Sequence, residues 1–258
     1  NSAYGFRALG KNTSGTPNDA FGYEALYNNI TGVQNVAVGY QALNASVSDY
    51  NTALGYQAAF KSNSNVVTAV GNSALHENTS GYGHTAMGWL ALYSNTTGNN
   101  NTAYGQSSLR YNTTGNNNTA VGREALYANT FGSPNDAFGY GALYSNTTGT
   151  NNVAVGSSSL YSNTTNNDNT AVGQGAMYAN AGGQNTAVGR LALYQNTTAS
   201  NNSAFGYQAL YTNSTGTPND AFGYKALFAN TTGVRNVAIG YNSLSANTIG
   251  TDNIAINS

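Results

Sequence analysis

The chain has 258 residues, of which only 7% are charged, for a formal net charge of -1. That balance excludes a basic footprint for nucleic acid and a polybasic membrane patch, and no apolar run is long enough to insert in a bilayer. Cysteine is absent, which excludes disulfides and thiolate metal sites.

Internal repetition dominates everything after that. The glycine of a local N-T-A-V-G pattern falls at Gly5, Gly22, Gly39, Gly55, Gly71, Gly88, Gly105, Gly122, Gly139, Gly156, Gly173, Gly189, Gly206, Gly223 and Gly240. The spacing is seventeen in eleven of the intervals and sixteen in the other three. A further unit, the sixteenth, follows as Asn253-Ile254-Ala255-Ile256-Asn257, with Asn in the place of glycine. The consensus, numbered from position 1 to the last position of a full coil, reads N-T-A-V-G-Y-x-A-L-Y-x-N-T-T-G-x-N.

Position 3 is Ala in all sixteen units and position 4 is always apolar. Position 9 is Leu except at Ala59 and Met177. Two short apolar stretches per unit, each ending in Gly, Asn or Thr, predict two short strands separated by turns. A unit of this length is too short for the helix pairs of α-solenoids. The predicted fold is therefore all-β: a parallel β-solenoid or β-roll of about 16 coils with two short strands each, one repeat domain over 1–258 within a longer fibre. Positions 4 and 9 are expected to form the inner ladders. The unchanging Ala of position 3 is expected on the opposite strand face, where a second chain could approach closely.

Along the chain, the first coils are regular and the first interruption lies between Asn44 and His84. There the N-T-T-G turn is lost twice, two units are shorter by a single residue, and position 1 becomes Val67 and then His84. Both histidines, His76 and His84, and the single Trp89 lie within or just after this stretch. It reads either as a binding spot on a uniform rod or as drift in a tolerant turn. Thr52, Thr68, Thr85, Thr102 and Thr119 occupy position 2 on five consecutive rungs, an array that could order water on an ice-binding face. Further on, position 10 carries the run Tyr127, Tyr144, Tyr161, Tyr178, Tyr194 and Tyr211. Stacked aromatics stabilise a solenoid along its axis, and an exposed ladder would also contact glycans or a partner filament. Asn fills position 12 in thirteen of fifteen units, as stacked amides and tight turns favour. Asn78, Asn95, Asn146, Asn163, Asn196, Asn213 and Asn230 also fit the N-x-[ST] acceptor pattern, so a glycosylating host would find a row of N-glycosylation sites on one turn edge.

Catalytic chemistry finds little support. Carboxylates working as an acid–base pair on a glycosidic bond must lie within about 5–10 Å, which in a solenoid means equivalent positions of adjacent coils. Asp19, Asp136 and Asp220 share position 2 several coils apart, as Glu24 and Glu124 share position 7. No metal-ligating cluster and no phosphate loop is legible, so no catalytic residue, metal or cofactor is predicted.

The stretches Asn35-Val36-Ala37-Val38-Gly39, Asn152-Val153-Ala154-Val155-Gly156 and Asn236-Val237-Ala238-Ile239-Gly240, each followed by a small residue at Ala42, Ser159 or Ser243, resemble the head repeats of YadA-like trimeric autotransporter adhesins. Similar repeats occur in phage fibre proteins. The resemblance runs unit by unit over the whole chain and implies a left-handed parallel β-roll, often trimeric, displayed outside the cell. The sequence thus reads as a non-enzymatic, extracellular structural or adhesive fibre subunit. Its expected partners are further copies, in a lateral bundle such as a trimer or end to end through uncapped terminal coils, together with surface carbohydrate or extracellular matrix. An ice-binding solenoid is the alternative, and a tailspike-type carbohydrate-active enzyme a more distant one.

Overall fold

A side chain no larger than a methyl group on every rung implies two walls too close for anything bigger. The structure, a computed structural model describing residues 1–257, has that form. The chain divides into two compact units, Asn1–Phe131 and Gly132–Ser258, each a parallel β-solenoid without helix among the described residues. The first contains strands β1 (Ser2–Tyr4) to β8 (Thr119–Val121) and the second β9 (Asn135–Phe138) to β16 (Ile254–Ile256). Within each unit every strand pairs in parallel with the next in sequence, and like stands on like. Thr85 faces Thr102 and Ala86 faces Ala103 in the first unit, as Ala171 faces Ala187 and Val172 faces Val188 in the second.

Each coil holds one strand where two were expected. The second apolar stretch, positions 6 to 10, is a stack of turns in which positions 7 and 9 are left-handed, as at Ser107 (φ 56°) and Leu109 (φ 49°). Its amides alternate in direction. Ser108 N–H donates within its coil to Gly105 O at 3.3 Å, whereas Leu109 N–H donates to Ala125 O of the next coil at 3.0 Å. Left-handed backbone costs a non-glycine residue about 1–2 kcal/mol, and here burial of a whole leucine side chain, about 1.5–3 kcal/mol, offsets it.

The inside face also differs from expectation. Position 3 points inward: Ala86, Ala103 and Ala120, like Ala154, Ala171 and Ala187, are fully buried. Position 4 points outward, with Leu54 49% and Tyr104 55% exposed. The reason is the turn stack, which brings positions 8 and 9 inward together. Ala125 and Leu126 are both fully buried and fill the space opposite position 3, leaving room there only for Ala. The small residue of position 3 therefore faces the core and is no seat for another chain.

Asparagine completes each core. At position 12, Asn95 donates from Nδ2 to Asn78 Oδ1 at 2.9 Å and Asn112 to Asn95 Oδ1 at 2.8 Å. At position 1, the backbone N–H of Asn118 donates to Asn101 Oδ1 at 2.9 Å. The two ladders converge on the position-15 carbonyl, where Gly32 O accepts from both Asn18 Nδ2 (2.7 Å) and Asn29 Nδ2 (3.0 Å). Position 5 must be glycine because rungs nearly touch there: a Cβ on Gly105 would lie 2.7 Å from the Gly122 carbonyl carbon, on backbone with φ 130°. Replacing buried Leu126 with Asp leaves a charge without a partner in this core. It is expected to destabilise the fold by several kcal/mol, on the order of 4, read as a large fall in thermal melting temperature.

Candidate functional site

Four features outside plain stacking are candidates for function. The first is the tyrosine run. In the second unit Tyr144, Tyr161, Tyr178, Tyr194 and Tyr211 form one column with centroids 4.9 to 5.2 Å apart and planes within 18°, and Phe228 extends it. In the first unit Tyr127 meets Tyr111 edge-on at 5.1 Å. The rings of the column are half-buried, and it covers ring faces with ring faces. Only edges and hydroxyls reach solvent, so the column offers no open face to a sugar.

The second is the row of acceptor asparagines. Asn78, Asn95, Asn146, Asn163, Asn196, Asn213 and Asn230 are all fully buried. Their amide hydrogens are used inside the coil, as when Asn163 Nδ2 reaches Asn146 Oδ1 at 3.1 Å and Asn166 O at 3.0 Å. The folded coil leaves no room for a glycan on that nitrogen. The N-T-T turn that fits the acceptor pattern thus also supplies the amide ladder.

Third are the histidines. His76 replaces an aromatic in the position-10 column, 5.1 Å from both Phe60 and Tyr93, and its Nδ1 lies 2.6 Å from Glu77 Oε1. Burial pushes the Glu77 carboxyl up, but hydrogen bonds from Lys61 and His76 outweigh it and hold the group below its usual range. His84 replaces the position-1 asparagine and is 2% exposed. Its Nδ1 accepts the Asn101 N–H at 3.2 Å, as an asparagine Oδ1 would on this rung, and its Nε2 lies 3.2 Å from Asn95 Nδ2 and beside the Gly98 carbonyl. Burial drives its pKa down to about 4, against smaller upward effects from Gly98 and Asn101.

The fourth is the interrupted stretch itself. Where Asn29 should hand its Oδ1 to a position-12 amide in the next coil, that coil has Ser46, and Asn29 Oδ1 is left buried without a partner. Serine pairs take over the turn, Ser46 with Ser48 and Ser62 with Ser64, at 3.0 and 3.1 Å between hydroxyls. Asn78 Nδ2 then rejoins the amide ladder through Ser62 Oγ (3.1 Å) and Ser64 Oγ (2.9 Å). Beside these serines is an open groove of about 430 Å³. The signal was present in the sequence as S-V-S and S-N-S at the same place in successive coils.

No group of three or more metal-ligating side chains occurs among the described residues, and no helix there is long and apolar enough to cross a membrane. No protein-family model matches this chain, and no curated protein or solved structure matches it.

The His84 environment predicts acid sensitivity of a given sign. Its pKa is about 4 when folded and 6.5 ordinarily, so between those values the unfolded chain binds a proton that the folded chain refuses. Stability is full above pH 6.5 and falls as pH drops toward 4, by about 3 kcal/mol for this group. Thermal melts at pH 7, 5.5 and 4 are expected to show the wild type losing more than His84→Asn by about that amount. A second measurement concerns the buried asparagines: protein expressed in a glycosylating host is expected to carry no sugar at Asn78, Asn95 or Asn163 by peptide mass spectrometry.

Proposed function

We propose that this chain is a non-enzymatic structural and adhesive fibre segment, displayed outside the cell, whose repeated coils provide length, stiffness and multivalency. The observation that carries this reading is the outer face of the sheet. Position 4 puts an apolar side chain outward on every strand, and in the second unit Phe138, Val155, Val172, Phe205, Phe222 and Ile239 are each 36–40% exposed. A surface row of this length, with little charge beside it, fits an interaction face. At positions 2 and 4 of all sixteen coils only Asp19, Asp136 and Asp220 are charged.

A second copy of the chain, offering the same uncharged row, is the partner we assign to this face, in a lateral bundle. The resemblance to trimeric adhesin heads supports the same reading. Surface carbohydrate or extracellular matrix is the adhesive target. Ice binding is the second reading, favoured by the outward threonines Thr52, Thr68, Thr85, Thr102 and Thr119, which stand in register. Bulky Leu54, Met87 and Tyr104 beside them break the flatness that such a face needs, and thermal hysteresis decides the matter.

Light scattering after size exclusion is expected to give a mass above the 26.7 kDa of one chain. Val155→Glu with Ile239→Glu, on rungs far apart, is expected to return the monomer, with stability changed by no more than about 1 kcal/mol because both side chains face outward. A wild type that stays a monomer at high concentration, with no filaments by electron microscopy, would overturn the assembly.

A further inference from the structure

A full coil places two residues between the position-12 amide and the position-15 carbonyl it bonds, as Thr13 and Ser14 stand between Asn12 and Gly15. In coils 35–50 and 51–66 a single residue, Val47 or Asn63, fills that span. The turn is therefore shorter on two adjacent rungs and full-length on both sides, at Ile30-Thr31 and Thr79-Ser80. The groove opens there, with Ser48, Asn63, Ser64, Asn65, Ser80 and Tyr82 around it. Its volume, about 430 Å³, lies in the range of small-ligand pockets, about 300–1,000 Å³.

We propose that this groove binds a neutral pyranose sugar. The lining contains no charged side chain, which disfavours an ionic ligand, and is rich in groups that suit hydroxyls. Asn63 and Asn65 are exposed, and each is anchored by its oxygen: Asn63 Oδ1 accepts the Val47 N–H at 3.2 Å and Asn65 Oδ1 the Asp49 N–H at 2.8 Å. Their Nδ2 groups remain as two positioned donors, and the exposed Ser80 hydroxyl adds a donor and acceptor. Tyr82 is 54% exposed. Unlike the column from Tyr144 to Tyr211 it stacks on no other ring among the described residues, so no aromatic neighbour covers the face it would offer to the C–H face of a sugar.

Val66, also on the groove, supplies an independent argument. It is 59% exposed and sits at φ 59°, a left-handed conformation that a β-branched residue adopts only under strain, at about 1–3 kcal/mol. Equivalent left-handed turn positions elsewhere carry Gln34, Tyr50, Asn100, Asn117, Asn201 and Arg235, none of them β-branched. The turn is set by the backbone bond each of these residues makes to the preceding coil, Val66 N–H to Asp49 O at 3.3 Å, and what the exposed valine adds is an apolar surface on the groove beside Tyr82, which fits a bound ring. The groove lies within the first unit, so this inference stands apart from self-assembly: a monomer that binds sugar would sink the one and leave the other.

The test is saturation-transfer NMR with the methyl glycosides of glucose, galactose and mannose and with N-acetylglucosamine, beside N-acetylneuraminic acid as the anionic arm. At least one neutral sugar is expected to receive transfer. Tyr82→Ala and Asn65→Ala, confirmed folded by their melts, are each expected to weaken it about tenfold, while Tyr241→Ala, an exposed tyrosine in the other unit, leaves it unchanged. Val66→Gly is expected to raise the melting temperature and weaken binding together, a combination that a purely structural turn would not give. Competition by dextran then assigns the sugar to a polysaccharide, and competition by a mannose-rich glycopeptide to a protein-linked glycan. Absence of transfer to every neutral sugar, survival of transfer in both groove variants, or a stronger signal from N-acetylneuraminic acid would each overturn the site.

Discussion

Rung-to-rung hydrogen bonding between identical groups is the interaction on which the rest of this molecule depends. A single coil is too thin to satisfy its own polar groups, and a regular coil buries two asparagines. In regular coils each is satisfied because the next coil presents the same amide in the same place, with Asn112 reaching Asn95 as Asn95 reaches Asn78; where serine replaces the amide, Asn29 Oδ1 goes without a partner. An unpaired buried amide costs about 1–3 kcal/mol, so the sequence is held to repetition by its polar core as firmly as by its leucines. His84 illustrates the constraint. The imidazole is tolerated on a rung of asparagines because it can accept where an amide oxygen accepts, and only while it is neutral.

The same constraint explains which surfaces are free to vary. Side chains at positions 2, 4 and 6 and at the last position of the coil meet no inner ladder, and it is there that Thr, Asp, Val, Tyr and Asn exchange along the chain. Position 4 stays apolar although it faces outward: its side chains stack rung on rung, as Phe205 on Phe222 at 5.1 Å, and still leave apolar surface open to solvent. An external surface that keeps its hydrophobicity over sixteen units is the basis of the assembly reading.

Much of the fold was legible in the sequence because period and glycine phase are direct readouts of the stack. The buried ladder of Leu92, Leu109 and Leu126 was legible for the same reason. The inside and outside of the strand were not. Alternation by two assigns Val121 and Leu126 to the core and leaves Ala120 outside, whereas the structure buries Ala120, Ala125 and Leu126 together. The adjacent pair Ala125-Leu126 held the clue, since a strand cannot turn two successive side chains to one face. A leucine in the left-handed region, as Leu126 is at φ 50°, is a backbone state that propensity alone argues against. The asparagines had two readings in the sequence. N-T-T matches an acceptor motif by composition, and only burial separates an amide that bonds its neighbour from one that a transferase could reach.

The ladders have a mechanical consequence. Strand pairing, asparagine amides and tyrosine column all join one coil to the next at the same height, so a coil that comes away loses all of them in one event. A force that opened the stack from one coil onward would meet a barrier, then release that whole coil together, about 55–60 Å of chain, before the next barrier. Under load such a stack behaves as a series of equal fuses, extending in discrete steps and dissipating work at each, while the coils beyond the break stay whole.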